Sequence, residues 1–232
     1  MFRKQIILSG NRNYYLSFLM FTFVEIFCKI RFTTIMGKNI CVFCSSSDAL
    51  EEGYFNIAIA VGKQIAKNKH VLLFGGANVG LMRKLAHTVK EQNGKLIGVI
   101  PQKIKDNNLA CEIVDELIIT PDMHTRKAKL EDLADAFIAM PGGFGTLEEL
   151  SEVLTLKHLG YHNKPVVILN VKGFYNNLIA FYETIYKERF AKEDYRKYYF
   201  VTENPEAALE YIKNYKPEKE INKWFTDDSF NL

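Results

Sequence analysis

The chain of 232 residues predicts an α/β fold, a doubly wound parallel sheet with helices on both faces. Two observations carry this. From Met36 onward, short apolar runs alternate with segments of helical periodicity, and no internal repeat appears. Strands that are apolar throughout, such as HVLLF and AFIAM, belong to sheets covered on both sides, which parallel sheets require.

The elements follow in order. Residues 39–44 (NICVFC) read as a strand, and a helix over 51–68 sets Phe55, Ala58, Ile59, Gly62 and Ile65 on one face. Residues 70–74 form the second strand, ending at Gly75-Gly76, and a helix runs from Gly80 to about Asn93. Strand 95–100 closes at Pro101, residues 102–108 read as a loop, and 112–120 (EIVDELIIT) as a strand. Asp122 suits a helix N-cap, its helix reaching about Ala134. Strand 136–140 ends at Pro141-Gly142-Gly143, a helix spans about 146–159, and 165–170 is the next strand. Helices near 174–188 and 204–214 complete the pattern. The organisation is an extension over 1–35, a domain over 36–215 and a tail over 216–232.

Composition narrows the function. Residues 1–35 hold Arg3, Lys4, Arg12, Lys29 and Arg31 against Glu25, while the whole chain carries +3. The body thus lacks the basic surplus that binding to a nucleic-acid backbone requires, and no nucleic-acid partner is expected. Within the extension, LSFLMFTFVEIF is an apolar run of roughly a dozen residues, short of the about 20 that span a bilayer. It has no small-residue cleavage site. An upstream start site, a membrane-surface or packing helix, and a weak signal sequence all remain open for it, and the body has no expected membrane partner. Cys41 and Cys44 have redox-motif spacing, but on a strand they face opposite sides. With Cys28 and Cys111 they read as buried thiols of a reducing compartment, here the cytoplasm. The five histidines form no metal-binding pattern, so no metal site is expected.

In doubly wound folds ligands bind beyond the C-terminal ends of the strands. Three segments stand there: Ser45-Ser46-Ser47, Gly75 to Gly80, and Pro141 to Thr146. Ser46 and Gly76 are candidate substrate contacts on this ground. The richest segment is PGGFGTLEE, 141–149. Gly142, Gly143 and Gly145 allow close backbone approach, the free amides of a helix start favour a phosphate, and Thr146 adds a hydroxyl. A tight turn whose glycines serve only packing is the competing explanation. Glu148 and Glu149 weigh towards function, because a carboxylate one turn from a phosphate site makes sense if it faces the attached sugar. The two stand about 100° apart, so one can face the pocket while the other meets solvent or caps the helix. Met123, Arg126 and Lys127 share a helix face at i, i+3 and i+4, suited to a base or sugar beside an anion. A solvated basic turn would look the same.

These motifs together resemble the Lonely Guy family of cytokinin-activating phosphoribohydrolases, long mislabelled as lysine decarboxylases. The resemblance runs from about Gly37 to Ala208 through CVFCSSS, GGANVGLM, DMHTRKA, DAFIAMPGGFGTLEELSEVLT, LGYHNKPVVILN and GFYNNL. It implies a Rossmann-like fold, a homodimer, no metal or organic cofactor, and hydrolysis of the N-glycosidic bond of an adenosine 5′-monophosphate, often N6-substituted. It implies that Arg126 and Glu149 are catalytic, with Lys127 beside them. Gly142, Gly143, Gly145 and Thr146 then form the phosphate loop, with Glu148 and Thr155 along the same wall. Ala77 and Arg83 replace two glycines of the family pattern, and the loop at Asn107-Asn108 lacks an acidic residue. A general AMP nucleosidase and a nucleotide or cofactor carrier are the rival readings. A pyridoxal-phosphate decarboxylase finds no strand-bound lysine with an aspartate partner.

Overall fold

The computed structural model describes residues 37–217. The extension over 1–35 and nearly all of the tail over 216–232 lie outside them.

Seven strands make one wholly parallel sheet: β1 (Asn39–Phe43), β2 (Val71–Phe74), β3 (Lys95–Pro101), β4 (Glu116–Thr120), β5 (Ala136–Ala139), β6 (Val166–Leu169) and β7 (Phe200–Thr202). Their order is β4-β3-β2-β1-β5-β6-β7. The helices are α1 (Glu52–Lys67), α2 (Gly80–Glu91), the single turn α3 (Gln102–Lys105), α4 (Met123–Leu133), α5 (Phe144–His158), α6 (Asn176–Lys187) and α7 (Pro205–Asn214).

The alternation of strand side chains builds two cores. Ile40 and Val42 of β1 pack with Ala58, Leu85 and Ala208, from α1, α2 and α7. Cys41 and Phe43 pack on the opposite face with Leu130, Leu150 and Val153, from α4 and α5. Cys44, beyond the end of β1, joins the first core, so the two thiols do stand on opposite faces. Burial raises both thiol pKa values, as expected of inert packing groups.

Several boundaries differ from the sequence reading. The strand expected over 112–120 begins only at Glu116. Asp115 turns the chain there, its carboxylate accepting from the Leu96 amide at 2.9 Å and the Lys90 ammonium at 2.7 Å. The loop expected over 102–108 contains α3, and α5 starts two residues early, at Phe144. Strand β7 and the 3-10 segment Glu193–Tyr198 have no counterpart in the reading. Three residues are too few to show a period, and β7 exists because β6 offers it a sheet edge.

Strand order reverses between β1 and β5, so the connections leaving them diverge and open a crevice. Main-chain bonds continue past the strand ends: Met140 N–H to the Phe43 carbonyl at 2.9 Å, and Ser45 N–H to the Pro141 carbonyl at 3.3 Å. The buried Tyr175 hydroxyl donates to the Met140 carbonyl at 2.7 Å, anchoring the chain where it enters the glycine-rich turn. Tyr175→Phe is therefore expected to cost about 1–2 kcal/mol. Thermal unfolding followed by circular dichroism will show this as a melting point lower by roughly 2–6 °C.

Candidate active site

The crevice holds a cavity of about 600 Å³, within the range of small-molecule sites. Its walls come from the strand ends. Cys44 to Ser47 follow β1; Gly75, Ala77 and Val79 lie between β2 and α2, and Met82 in the first turn of α2; Pro101 ends β3 and Ile104 lies in α3; Leu109 comes from the next loop. Met123 and Arg126 of α4 and Gly143 to Thr146 and Glu149 of α5 complete it.

Three helices begin at this rim. Two of the N-termini already hold a carboxylate: Asp48 accepts from the Gly80 amide of α2 at 3.1 Å, and Asp122 caps α4 through the Thr125 amide at 2.8 Å. Arg83, one of the departures from the family pattern, donates to the same Asp48 oxygen at 2.5 Å. The N-cap of α5 is Gly143, which has no side chain to cap it. Its first return bond is Leu147 N–H to the Gly143 carbonyl at 3.0 Å, so the amides of Phe144, Gly145 and Thr146 precede the helical ladder and face an anion-favouring dipole end.

The glycines divide by role. A Cβ on Gly142 would lie 2.1 Å from Thr146 Oγ1, so Gly142 makes room for the threonine, and packing explains it. At Gly143 and Gly145 a Cβ would meet nothing within 4 Å. Neither takes the left-handed backbone that favours glycine. Their bare backbone faces open cavity, which is what close approach of a ligand needs. Gly75 is the glycine that sequence reasoning missed. A Cβ there would fall 2.1 Å from the Arg126 guanidinium, so its absence lets Arg126 approach the main chain just past β2.

Arg126 and Glu149 form the cavity's charged centre. Nη1 of Arg126 donates to Glu149 Oε1 at 2.7 Å, and its Nε to the Val99 carbonyl at 3.2 Å. Both side chains are nearly buried. Burial pushes the Glu149 carboxyl above the usual carboxylate range, while the Arg126 charge and hydrogen bond pull the other way.

Other candidates are placed differently. Lys127 does not line the cavity. Its ammonium points to α5 instead, meeting Glu148 at 2.5 Å and Glu152 at 2.9 Å. Glu148, 58% exposed, pairs with Lys127 and is not among the residues lining the cavity. Successive helical residues diverge by about 100°, which splits both the Arg-Lys and the Glu-Glu doublets. Thr155 lies further along α5, on a second cavity of about 540 Å³ walled also by Leu154, Leu178, Phe181, Tyr182 and Ile185. Gly76 backs onto β3, where its left-handed backbone and tight approach to Val99 require glycine. Ser46, Met123, Gly143, Gly145 and Thr146 do line the cavity, and Phe144 stands 93% exposed at its mouth.

Comparison with known proteins adds three findings. The family model described as "Possible lysine decarboxylase" matches residues 82–212. The chain is 39% identical over 180 residues to "Probable cytokinin riboside 5′-monophosphate phosphoribohydrolase LOGL6" of Oryza sativa subsp. japonica, covering 78% of this chain and 72% of that protein. It is 38% identical over 180 residues to "Cytokinin riboside 5′-monophosphate phosphoribohydrolase LOG5" of Arabidopsis thaliana, covering 78% and 79%. Among solved structures it is similar to the molybdenum cofactor binding protein of Rippkaea orientalis, with a TM-score of 0.60 and 26% identity over 77% of this chain and 97% of that one. The Moco carrier protein of Chlamydomonas reinhardtii shares the fold, with a TM-score of 0.59 at 24% identity over 76% and 96%.

Behind the active-site wall, burial and the neighbouring Glu152 push Glu131 up to about 7. A carboxyl whose pKa is raised by folding favours the folded state below its unfolded value and loses that advantage as pH rises through its folded value. Glu131→Gln is therefore expected to raise the melting temperature at pH 8 and leave it nearly unchanged at pH 4, as calorimetry at the two pH values will measure.

Proposed function

Because the chain belongs to the family of cytokinin riboside 5′-monophosphate phosphoribohydrolases, whose model bears the lysine decarboxylase description, we propose that it hydrolyses the N-glycosidic bond of adenosine 5′-monophosphates, including N6-substituted ones. The observation that carries this is the Arg126–Glu149 pair inside a cavity whose rim presents the start of α5, where, unlike at α2 and α4, no carboxylate takes up the first amides.

The chemistry follows from these groups. The 5′-phosphate binds the amides at the start of α5, against bare Gly143 and Gly145 and near Arg126. Cleavage of C1′–N9 builds positive charge on the ribose, and the Glu149 carboxylate stabilises it and orients water. The water oxygen bonds to C1′, its proton passes through Glu149, and the departing base gains one proton as the N9 electron pair leaves. The products are free base and ribose 5-phosphate. Burial raises the Glu149 carboxyl, and the Arg126 charge and hydrogen bond oppose that push and favour the carboxylate form that the chemistry uses. A decarboxylase using a lysine Schiff base has less support, since no lysine is among the residues lining the cavity.

We further propose that the protein acts as a homodimer in the cytoplasm. Cys41, Cys44 and Cys111 are free and buried, as a reducing compartment favours. The second cavity opens beside Leu147, Phe181 and Phe190, which are 37%, 60% and 85% exposed, an apolar face suited to a second copy. Among the described residues no helix is long and apolar enough to cross a membrane.

Purified protein incubated with AMP, and separately with isopentenyl-AMP, is expected to release free base and ribose 5-phosphate, measured by chromatography. The ratio of the two rates separates cytokinin activation from general AMP cleavage. Glu149→Gln should reduce release by about 10²–10⁴-fold. Nucleotide bound without release would favour a carrier. Sedimentation should give about twice the 26.7 kDa chain mass, falling to the monomer in Phe181→Glu.

A further inference from the structure

Lys127 is buried yet faces away from the cavity. Its side chain is 8% exposed and bridges α4 to α5 through Glu148 and Glu152, which stand one turn apart on the same face of α5. Glu131, one turn beyond Lys127 on α4, adds a third carboxylate to this seam, and its main-chain carbonyl accepts from the Lys164 ammonium at 2.6 Å. Hydrogen bonds that the ammonium donates to Glu148 and then Glu152 raise the Lys127 pKa and favour its charged form. The same two helices carry Arg126 and Glu149, each adjacent in sequence to a member of this cluster.

We propose that Lys127 is a positioning residue: it never touches the nucleotide, and it acts on turnover by clamping α4 against α5 so that Arg126 and Glu149 stay in register. This rests on the hydrolase reading above. Without the ammonium, carboxylates on both helices face one another across a half-buried seam, and their repulsion parts the helices that hold the reacting groups. A displacement of about 1 Å at such groups can lower turnover by about 10²-fold.

The test uses the full chain with AMP as the probe. Lys127→Met is expected to lower kcat by at least about tenfold, with KM and the calorimetric Kd for AMP changed less than about threefold. Lys127→Arg, which keeps the charge, should restore most of kcat, and Lys127→Met combined with Glu152→Gln should recover part of it by relieving repulsion. A Kd weakened by about tenfold with kcat retained would mean direct contact with the nucleotide and would overturn the proposal, as would an unchanged kcat. Should Lys127→Met not fold, Lys127→Gln carries the same test, with kcat lowered and Kd kept. An independent reading comes from the Arg126 Nε proton, bonded to the Val99 carbonyl. Its exchange protection in NMR should fall in Lys127→Met and return in Lys127→Arg. If the unaltered protein releases no base, the hydrolase reading fails, and this proton still decides whether Lys127 positions Arg126.

Discussion

Two opposite charges, held nearly out of water at the inner end of an open cavity, set the terms for everything around them. A guanidinium or a carboxylate buried alone is destabilising by several kcal/mol, and breaking such a pair typically costs about 3–5 kcal/mol. The Arg126–Glu149 contact at 2.7 Å therefore persists only because its surroundings are built to keep it. The Val99 carbonyl takes a second donor of the guanidinium, and Gly75 lacks the side chain that would push it away. Helix α4 is fixed at its start by Asp122 and along its length by Lys127.

The sheet supplies the frame for this pair. Parallel strands send every loop that follows a strand to one edge, and the reversal of order between β1 and β5 parts those loops into a crevice. Bonds between the main chains of Phe43 and Met140, and of Ser45 and Pro141, carry the sheet's rigidity past the strand ends to the glycine-rich turn. Groups mounted this way keep their geometry without a ligand, which an electrostatic mechanism requires.

The turn itself shows how one composition serves two purposes. Gly142 is explained by Thr146 lying across it, whereas Gly143 and Gly145 have room for a side chain and a backbone that any residue adopts. Steric need inside the protein accounts for the first and not for the other two. The neighbouring Phe144, almost fully exposed, has no packing role within the described residues either. The residue choice here is one that the folded chain alone does not demand.

Much of this was legible in the sequence, because periodicity is local. The strands and major helices of the sheet, the Asp122 cap and the opposite orientation of Cys41 and Cys44 follow from side-chain repeat and capping chemistry within a few residues. The PGGFGTLEE segment likewise declared a strand end and a helix start. What stayed hidden depends on residues far apart in the chain. Strand β7 is three residues that pair only because β6 is there, and Gly75 reads as a turn until Arg126, 51 positions later, lies against it. Spacing grouped Arg126 with Lys127 and Glu148 with Glu149, but spacing gives only the angle between neighbours on one helix. Which member faces the cavity depends on how α4 and α5 are rotated on the sheet, and packing of Leu130, Leu150 and Val153 into the core decided that.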